Sequence, residues 1–467
     1  RRRSRTRSAN TSGATSVRAV RQVAAYRAVV VLLWGLAAYA TVVCRGLFWD
    51  GSSFLANILD HGGFHDFYVA RAHVDWVTQA PVLLLSEFGV RDTRLLSMAY
   101  SASLFALPAA LYHLALARVR HDAVLLGIVI AAVAVVYLPT SFFIIGEYNA
   151  TFAAVTAGMA VTMTSRESRL GDASLLCVLG VFCVRSYEAM VWLGPLLAAA
   201  IVWSRRKDRD PATKILAGIA ALAFIAAAVV AAATIADYWS HPHFIKVRLM
   251  SFDFWQNLQF AIPLAGLAVS TVVGLARPAW LEGRGPLIVM GIATAVLAST
   301  PWWRLLHEHS ILYPPAHYLA REAAGLLLAV LLACMWLHVA WQRRPPRVLV
   351  TLRLPAVSRR LVAAMTVLLI AAAIPDVVLT GLWSDYLGRL RNLVDSRQGI
   401  IRAGDLPLLD WPDKLFAQDW SLPAMSAIAS RTPGRAFVRV DNDFRSNPPF
   451  DPACGTLPRL KGYGWGQ

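Results

Sequence analysis

The sequence predicts an all-α polytopic membrane protein, and three observations carry that expectation. The 467 residues are 57% hydrophobic and only 16% charged, with a mean hydropathy of +0.51, whereas soluble domains run about 45–50% apolar and about 25% charged. The apolar residues fall in blocks, several near the ~20 residues that cross a bilayer. Lys and Arg concentrate in alternate connections between those blocks. A soluble globular protein, a disordered chain and a disulfide scaffold are excluded, the last because there are five Cys and no CxxC spacing.

In chain order, about eleven spans are expected, at 25–44, 95–117, 124–143, 150–164, 173–184, 189–203, 215–236, 258–276, 286–300, 323–341 and 361–382. The fifth and sixth are each short. They read either as one long helix or as a hairpin broken at Arg185-Ser186-Tyr187-Glu188, and only the broken form leaves the basic loop around 205 on the same side as the N-terminus. On that side lie 25 Lys and Arg, against 9 in the short loops opposite and 11 in the tail. The asymmetry puts the N-terminus in the cytoplasm and the C-terminus outside, in a bacterial inner membrane.

Three regions follow: a basic cytoplasmic tail at 1–24, a transmembrane domain at 25–382, and a small C-terminal extracytoplasmic appendage at 383–467. The run of Arg at the start, in a Ser/Thr-rich stretch with no cleavage pattern, reads as a solvated tail rather than a signal peptide. The net charge of +17 could suggest nucleic acid, but its distribution makes it a topology signal, so no nucleic-acid partner is expected. The first outer loop, 45–94, contains two amphipathic stretches, 51–60 and 74–89, expected to lie in the interface plane. The other outer segments are 238–258 and 301–322. The appendage carries an expected helix near 422–430 and a strand at 436–440. There is no internal repeat.

Ionisable residues at a membrane face are expensive unless solvated or paired, which marks them as functional candidates. Asp50 follows the first span and opens the first interfacial helix. It reads equally as a helix N-cap or as a carboxylate placed to take a proton from a hydroxyl nucleophile. Arg45, His65, Arg71 and His73 share its loop. The His and Asp residues between 61 and 75 fit no tight metal spacing; no cofactor is implied, and a divalent cation is the option left open. Arg304 and Arg321 suit a lipid phosphate through the guanidinium fork, or they snorkel to headgroups. Arg185 pairs with Glu188 or faces the same outer site. Trp residues at span ends are interfacial anchors. A Cys44–Cys454 disulfide is compatible with the topology.

The layout resembles the GT-C superfamily of integral-membrane glycosyltransferases, which includes protein mannosyltransferases and the aminoarabinose transferase of lipid A. Four features carry the likeness over roughly residues 20–340. The long outer loop has an Asp before an interfacial helix (Trp49-Asp50-Gly51-Ser52). A Pro-containing stretch follows (Gln79-Ala80-Pro81-Val82), ahead of a span opening Arg94-Leu95-Leu96-Ser97. A short-helix pair runs Leu179-Gly180-Val181-Phe182-Cys183-Val184-Arg185, then Leu193-Gly194-Pro195-Leu196. A late outer segment carries His317-Tyr318 and Arg321. Gly51 stands where many members have Glu, and Arg185 where the pattern has Lys.

The resemblance implies transfer of a sugar from a polyprenyl-phosphate donor to an acceptor at the outer face, within membrane lipids, with the acceptor unspecified. Asp50 would be the base or the group that orients the acceptor, and Arg185 and Arg321 would neutralise donor phosphate. The competing readings are an O-antigen polymerase or ligase, and a non-enzymatic lipid or solute transporter.

Overall fold

The computed structural model describes residues 9–439, apart from 66–68, 143–145, 166–169, 207, 209, 301–314, 343–344, 403–412, 418–420 and 431–435. Helices dominate: α1 (Ala9–Val42), α2 (Asp50–His61), α3 (Ala72–Glu87), α4 (Thr93–Val119), α5 (Ala123–Ala131), α6 (Glu147–Thr164), α7 (Leu170–Cys183), α8 (Met190–Arg205), α9 (Pro211–Tyr238), α10 (Pro242–Met250), α11 (Leu258–Ala276), α12 (Pro278–Glu282), α13 (Gly285–Ser299), α14 (Pro315–Ala340), α15 (Arg347–Arg353), α16 (Pro355–Ser396) and α17 (Leu422–Ala429). Among the described residues, seven helices are long and apolar enough to cross a membrane, and α7, α8 and α13 are shorter apolar helices. The chain is an integral membrane protein of all-α class.

Local chemistry sets many of the boundaries. Asp92, Asp122 and Asp210 cap α4, α5 and α9 by accepting hydrogen bonds from the second and third backbone N–H groups of each helix, and Pro211 adds a preset first turn. α5 continues through a wide turn at Ala132–Tyr137 and a tight one at Leu138–Thr140, where Pro139 ends the regular ladder. Asn257 caps α11 through Phe260 N–H, and its amide donates to the carbonyls of Pro139 and Ala316 at 2.7 and 3.1 Å. One buried side chain thus joins three segments.

The fifth and sixth apolar stretches form a hairpin. Cys177 and Gly180 on α7 meet Leu216 and Ala220 on α9, so those two helices run the same way. On α8, Gly194 meets Phe224 and Ala228, while the end of α8 leads directly into α9, so α8 runs the opposite way. Gly158, Gly180 and Gly194 allow these close approaches: a Cβ at each would press on a neighbouring helix. Small residues at helix interfaces are how apolar helices associate where no hydrophobic gradient drives them together.

The cross-links sort the loops into two ends. At one end, Trp383 donates to Val43 O, His73 N–H to Arg185 O, and Tyr187 to Glu322. At the other, Arg118 pairs with Asp172, His338 with Asp122, and Arg360 reaches the carbonyls of Glu282 and Gly283.

Helix α1 begins at Ala9, so the basic stretch at 1–24 is helical over part of its length. Other expectations are corrected. Helix α14 begins at Pro315, so His317, Tyr318 and Arg321 sit on its opening turns rather than in a loop. Helix α16 continues to Ser396 because Trp383, Tyr386, Leu387, Leu390 and Val394 keep a helical spacing and are all buried. The expected appendage elements are present as α17 and as β2 (Ala436–Arg439), which pairs in parallel with β1 (Gly399–Arg402). Helix α17 covers α2, with Ser52 donating to Ser421 O. As a result Gly51 to Leu59 are all buried, and α2 is enclosed by protein instead of lying with one face free.

Candidate functional site

The turn between α1 and α2 positions the first candidates. Cys44 and Trp49 hold positive φ, 52° and 49°, a region that costs a non-glycine residue roughly 1–3 kcal/mol and persists only where the surroundings impose it. Between them, Gly46 N–H donates to Ser101 Oγ at 3.0 Å. A Cβ on Gly51 would overlap the Gly46 carbonyl oxygen. That close approach excludes any side chain at 51, and so excludes a second acid directly after Asp50.

Asp50 is the first residue of α2. The capping position belongs to Trp49, which makes no side-chain cap bond. Among the described residues the Asp50 carboxyl accepts no hydrogen bond, but it lies in the field of Glu147, Arg71 and Arg321. Burial pushes its pKa up to about 7; the neighbouring Glu147 adds to the rise, and the two guanidiniums oppose it.

Arg71 is the hub. Its guanidinium donates to Glu147 Oε2 at 3.1 Å and to Glu188 Oε1 at 2.8 Å, and lies 5.4 Å from the Tyr187 ring centroid. Burial alone would raise Glu188, but the charge and hydrogen bond of Arg71 hold it below the usual carboxylate range. Arg321 stacks on Tyr318, 3.8 Å from the ring centroid. Its Nε is 3.5 Å from Glu322 Oε1, the oxygen that also accepts from Tyr187 at 2.8 Å. The Arg321 Nη groups make no hydrogen bond among the described residues. One guanidinium is therefore spent between two carboxylates, while the other keeps its fork available.

The remaining sequence candidates divide. Arg45 is 3% exposed and engaged through both terminal nitrogens: it donates to Asp376 (3.0 Å), Thr380 (2.9 Å) and Ser141, and packs between the Phe105 and Phe142 rings. His317 is buried against Phe142, in the field of Arg45. His65 is held by its backbone, which Gln79 bonds on both sides, while its ring meets Phe54 edge-on. The His73 ring bonds Val181 O at 2.7 Å, tying α3 to α7. Arg185 is exposed, and Glu188 pairs with Arg71 instead of with Arg185. Arg304 and Cys454 lie outside the described residues.

Sequence reasoning passed over Glu147 and Tyr187. The available signal was positional: each sits beside the start of an apolar stretch at the predicted outer side, where an unneeded polar group is costly. No three His, Cys, Asp or Glu side chains gather as a metal site among the described residues. Searches against protein-family models, curated proteins and solved structures give no match to this chain.

Proposed function

We propose that this protein is a GT-C-like glycosyltransferase with eleven membrane passes, its N-terminus cytoplasmic, that moves a sugar from a polyprenyl-phosphate donor to an acceptor at the outer face of a bacterial inner membrane. The observation that carries the reading is the meeting of Asp50, Arg71 and Arg321 in one electrostatic cluster, although they come from separate elements. A phosphate-linked sugar is already activated, so the enzyme has to orient the acceptor, take its proton and steady the departing phosphate. Asp50, with a pKa near 7, is matched to proton abstraction at neutral pH. Arg321, whose fork makes no hydrogen bond among the described residues, is the group for the phosphate. Arg71, already neutralised by Glu147 and Glu188, orders the carboxylates around it. In the cluster of Asp50, Arg71 and Arg321, Arg321 is the guanidinium whose fork makes no hydrogen bond among the described residues, which favours a monophosphate donor over the diphosphate of a polymerase or ligase.

The test is sugar transfer in membranes supplied with radiolabelled polyprenyl-phosphate sugars. Asp50→Asn should lose transfer by about 10²-fold or more while donor binding persists, and Arg321→Ala should weaken donor binding. Full activity of Asp50→Asn would refute the assignment.

A further inference from the structure

A surplus of positive charge lies at the end of the bundle away from the candidate site, in two connections. The stretch 277–285, between α11 and α13, holds Arg277 and Arg284 against Glu282. The stretch 341–360, from the end of α14 into α16, holds six Arg and no acid. The fold brings the two together. Helix α12 packs on α15 and on α16. Arg360 donates to the backbone carbonyls of Glu282 and, at 3.0 Å, of Gly283, and Arg353 donates to those of His338 and, at 3.4 Å, of Trp341. These two guanidiniums satisfy carbonyls left open at the C-terminal ends of α12 and α14. Three others on the same surface have no such task. Arg277, Arg284 and Arg347 are exposed, and their side chains make no hydrogen bond or ion pair among the described residues. Glu282 does not neutralise them: Arg360 takes its backbone oxygen, and its carboxylate enters no ion pair among the described residues.

Apolar surface borders these charges. Val272 and Leu275 on the last turns of α11, Ile288 on the first turn of α13, Val350 on α15 and Leu354 just after it are all exposed, as is Trp341, a residue type that settles at membrane interfaces. Helices α11, α14 and α16 are long and apolar enough to cross a membrane, so the connections at their ends lie where hydrocarbon gives way to headgroups. We infer that the patch of Arg277, Arg284 and Arg347 binds the headgroup of an anionic phospholipid, whose acyl chains lie along the exposed apolar side chains of α11 and α13. Each free guanidinium presents paired N–H donors to a phosphate. A choline headgroup carries its own cation into the same positive field and is disfavoured. A soluble phosphate would leave the apolar border uncovered, whereas a lipid covers both. The inference rests neither on the transferase reading nor on which way the chain is inserted.

The full chain, purified in a neutral detergent and stripped of lipid, would be titrated with phosphatidylglycerol and with phosphatidylcholine of the same acyl chains. Bound lipid is read by native mass spectrometry, and Tm is followed in parallel. A basic residue beside an anionic lipid surface is worth about fivefold in binding, so phosphatidylglycerol should bind at least about tenfold more tightly and should raise Tm. The variant Arg277→Gln/Arg284→Gln/Arg347→Gln should bring the preference to within about threefold and lose the rise in Tm. It removes exposed side chains that hold no partner among the described residues, so it should fold as the parent does. Arg120→Gln/Arg206→Gln/Lys214→Gln removes the same charge at the same end of the bundle, after α4 and α8 and at the start of α9, and should keep the preference. An equal loss in both triple variants would reduce the effect to net charge and overturn the inference. Equal affinity for the two lipids, or glycerol 3-phosphate binding as tightly as phosphatidylglycerol, would overturn it too.

Discussion

The protonation state of Asp50 makes the sharpest demand on experiment. A carboxyl with an ordinary pKa near 4 is ionised throughout the neutral range, so a base of that kind gives a flat rate between pH 6 and pH 8. With the pKa at about 7, the ionised fraction is about 9% at pH 6 and about 91% at pH 8, and kcat/KM should rise about tenfold between them. The cause is structural: α17 and the strained turn at Trp49 bury the first turn of α2, and Glu147 lies close enough to repel a second charge. The same shift has a thermodynamic sign. The folded pKa lies above the unfolded one, so between about pH 4 and pH 7 the native state holds the proton longer than the unfolded state, and stability falls as pH rises through that window. Asp50→Asn removes that loss. It should therefore raise the melting temperature relative to the parent at pH 8 and leave it unchanged at pH 4. The assays are initial rates at low donor concentration over pH 5.5–8.5, and thermal unfolding of purified protein at the two pH values. A rate independent of pH across this range, or an Asn variant less stable than the parent at pH 8, would refute the reasoning.

The other predictions concern the frame around the site. Asp376→Ala should destabilise the protein by about 3–5 kcal/mol, because it strands the Arg45 guanidinium in the bundle; Arg45→Met combined with Asp376→Leu should recover most of that, and retained transfer by the double variant would place Arg45 outside the substrate site. Gly51→Ala should abolish stable folding or force a displaced turn, seen as loss of monodisperse protein, since its Cβ has nowhere to go beside Gly46 O. Asn257→Ala should cost about 2–3 kcal/mol in denaturant unfolding, for a lost cap and two buried carbonyls left without a donor.

Much of the frame was legible from hydropathy because a bilayer segment must satisfy its backbone internally and present an apolar surface, and both demands are written locally. The caps at Asp92, Asp122 and Asp210 are equally local. Glycine spacing on α7 and α8 hinted at close packing, though not at which helix would be the partner. The failures share a cause as well. Helix α14 starts early, with Arg321 stacked on Tyr318 and Glu322 accepting from Tyr187, a partner 135 residues away that no hydropathy window can see. Likewise, α2 looks interfacial by its own pattern, and only the fold reveals that α17 covers it.

The sequence by itself determined that the chain is a helical membrane protein, where most apolar helices run, and that its ionisable residues in the loops needed explaining. Which of those residues meet was decided by tertiary structure alone. Arg45 and Arg71 look interchangeable in one loop, yet one is locked to Asp376 inside the bundle and the other gathers Glu147 and Glu188 beside Asp50. The physical reason is that ion pairing and desolvation depend on separation in space and on what surrounds each charge, whereas the order of residues along the chain fixes only the local preferences of the backbone and the side on which each turn emerges.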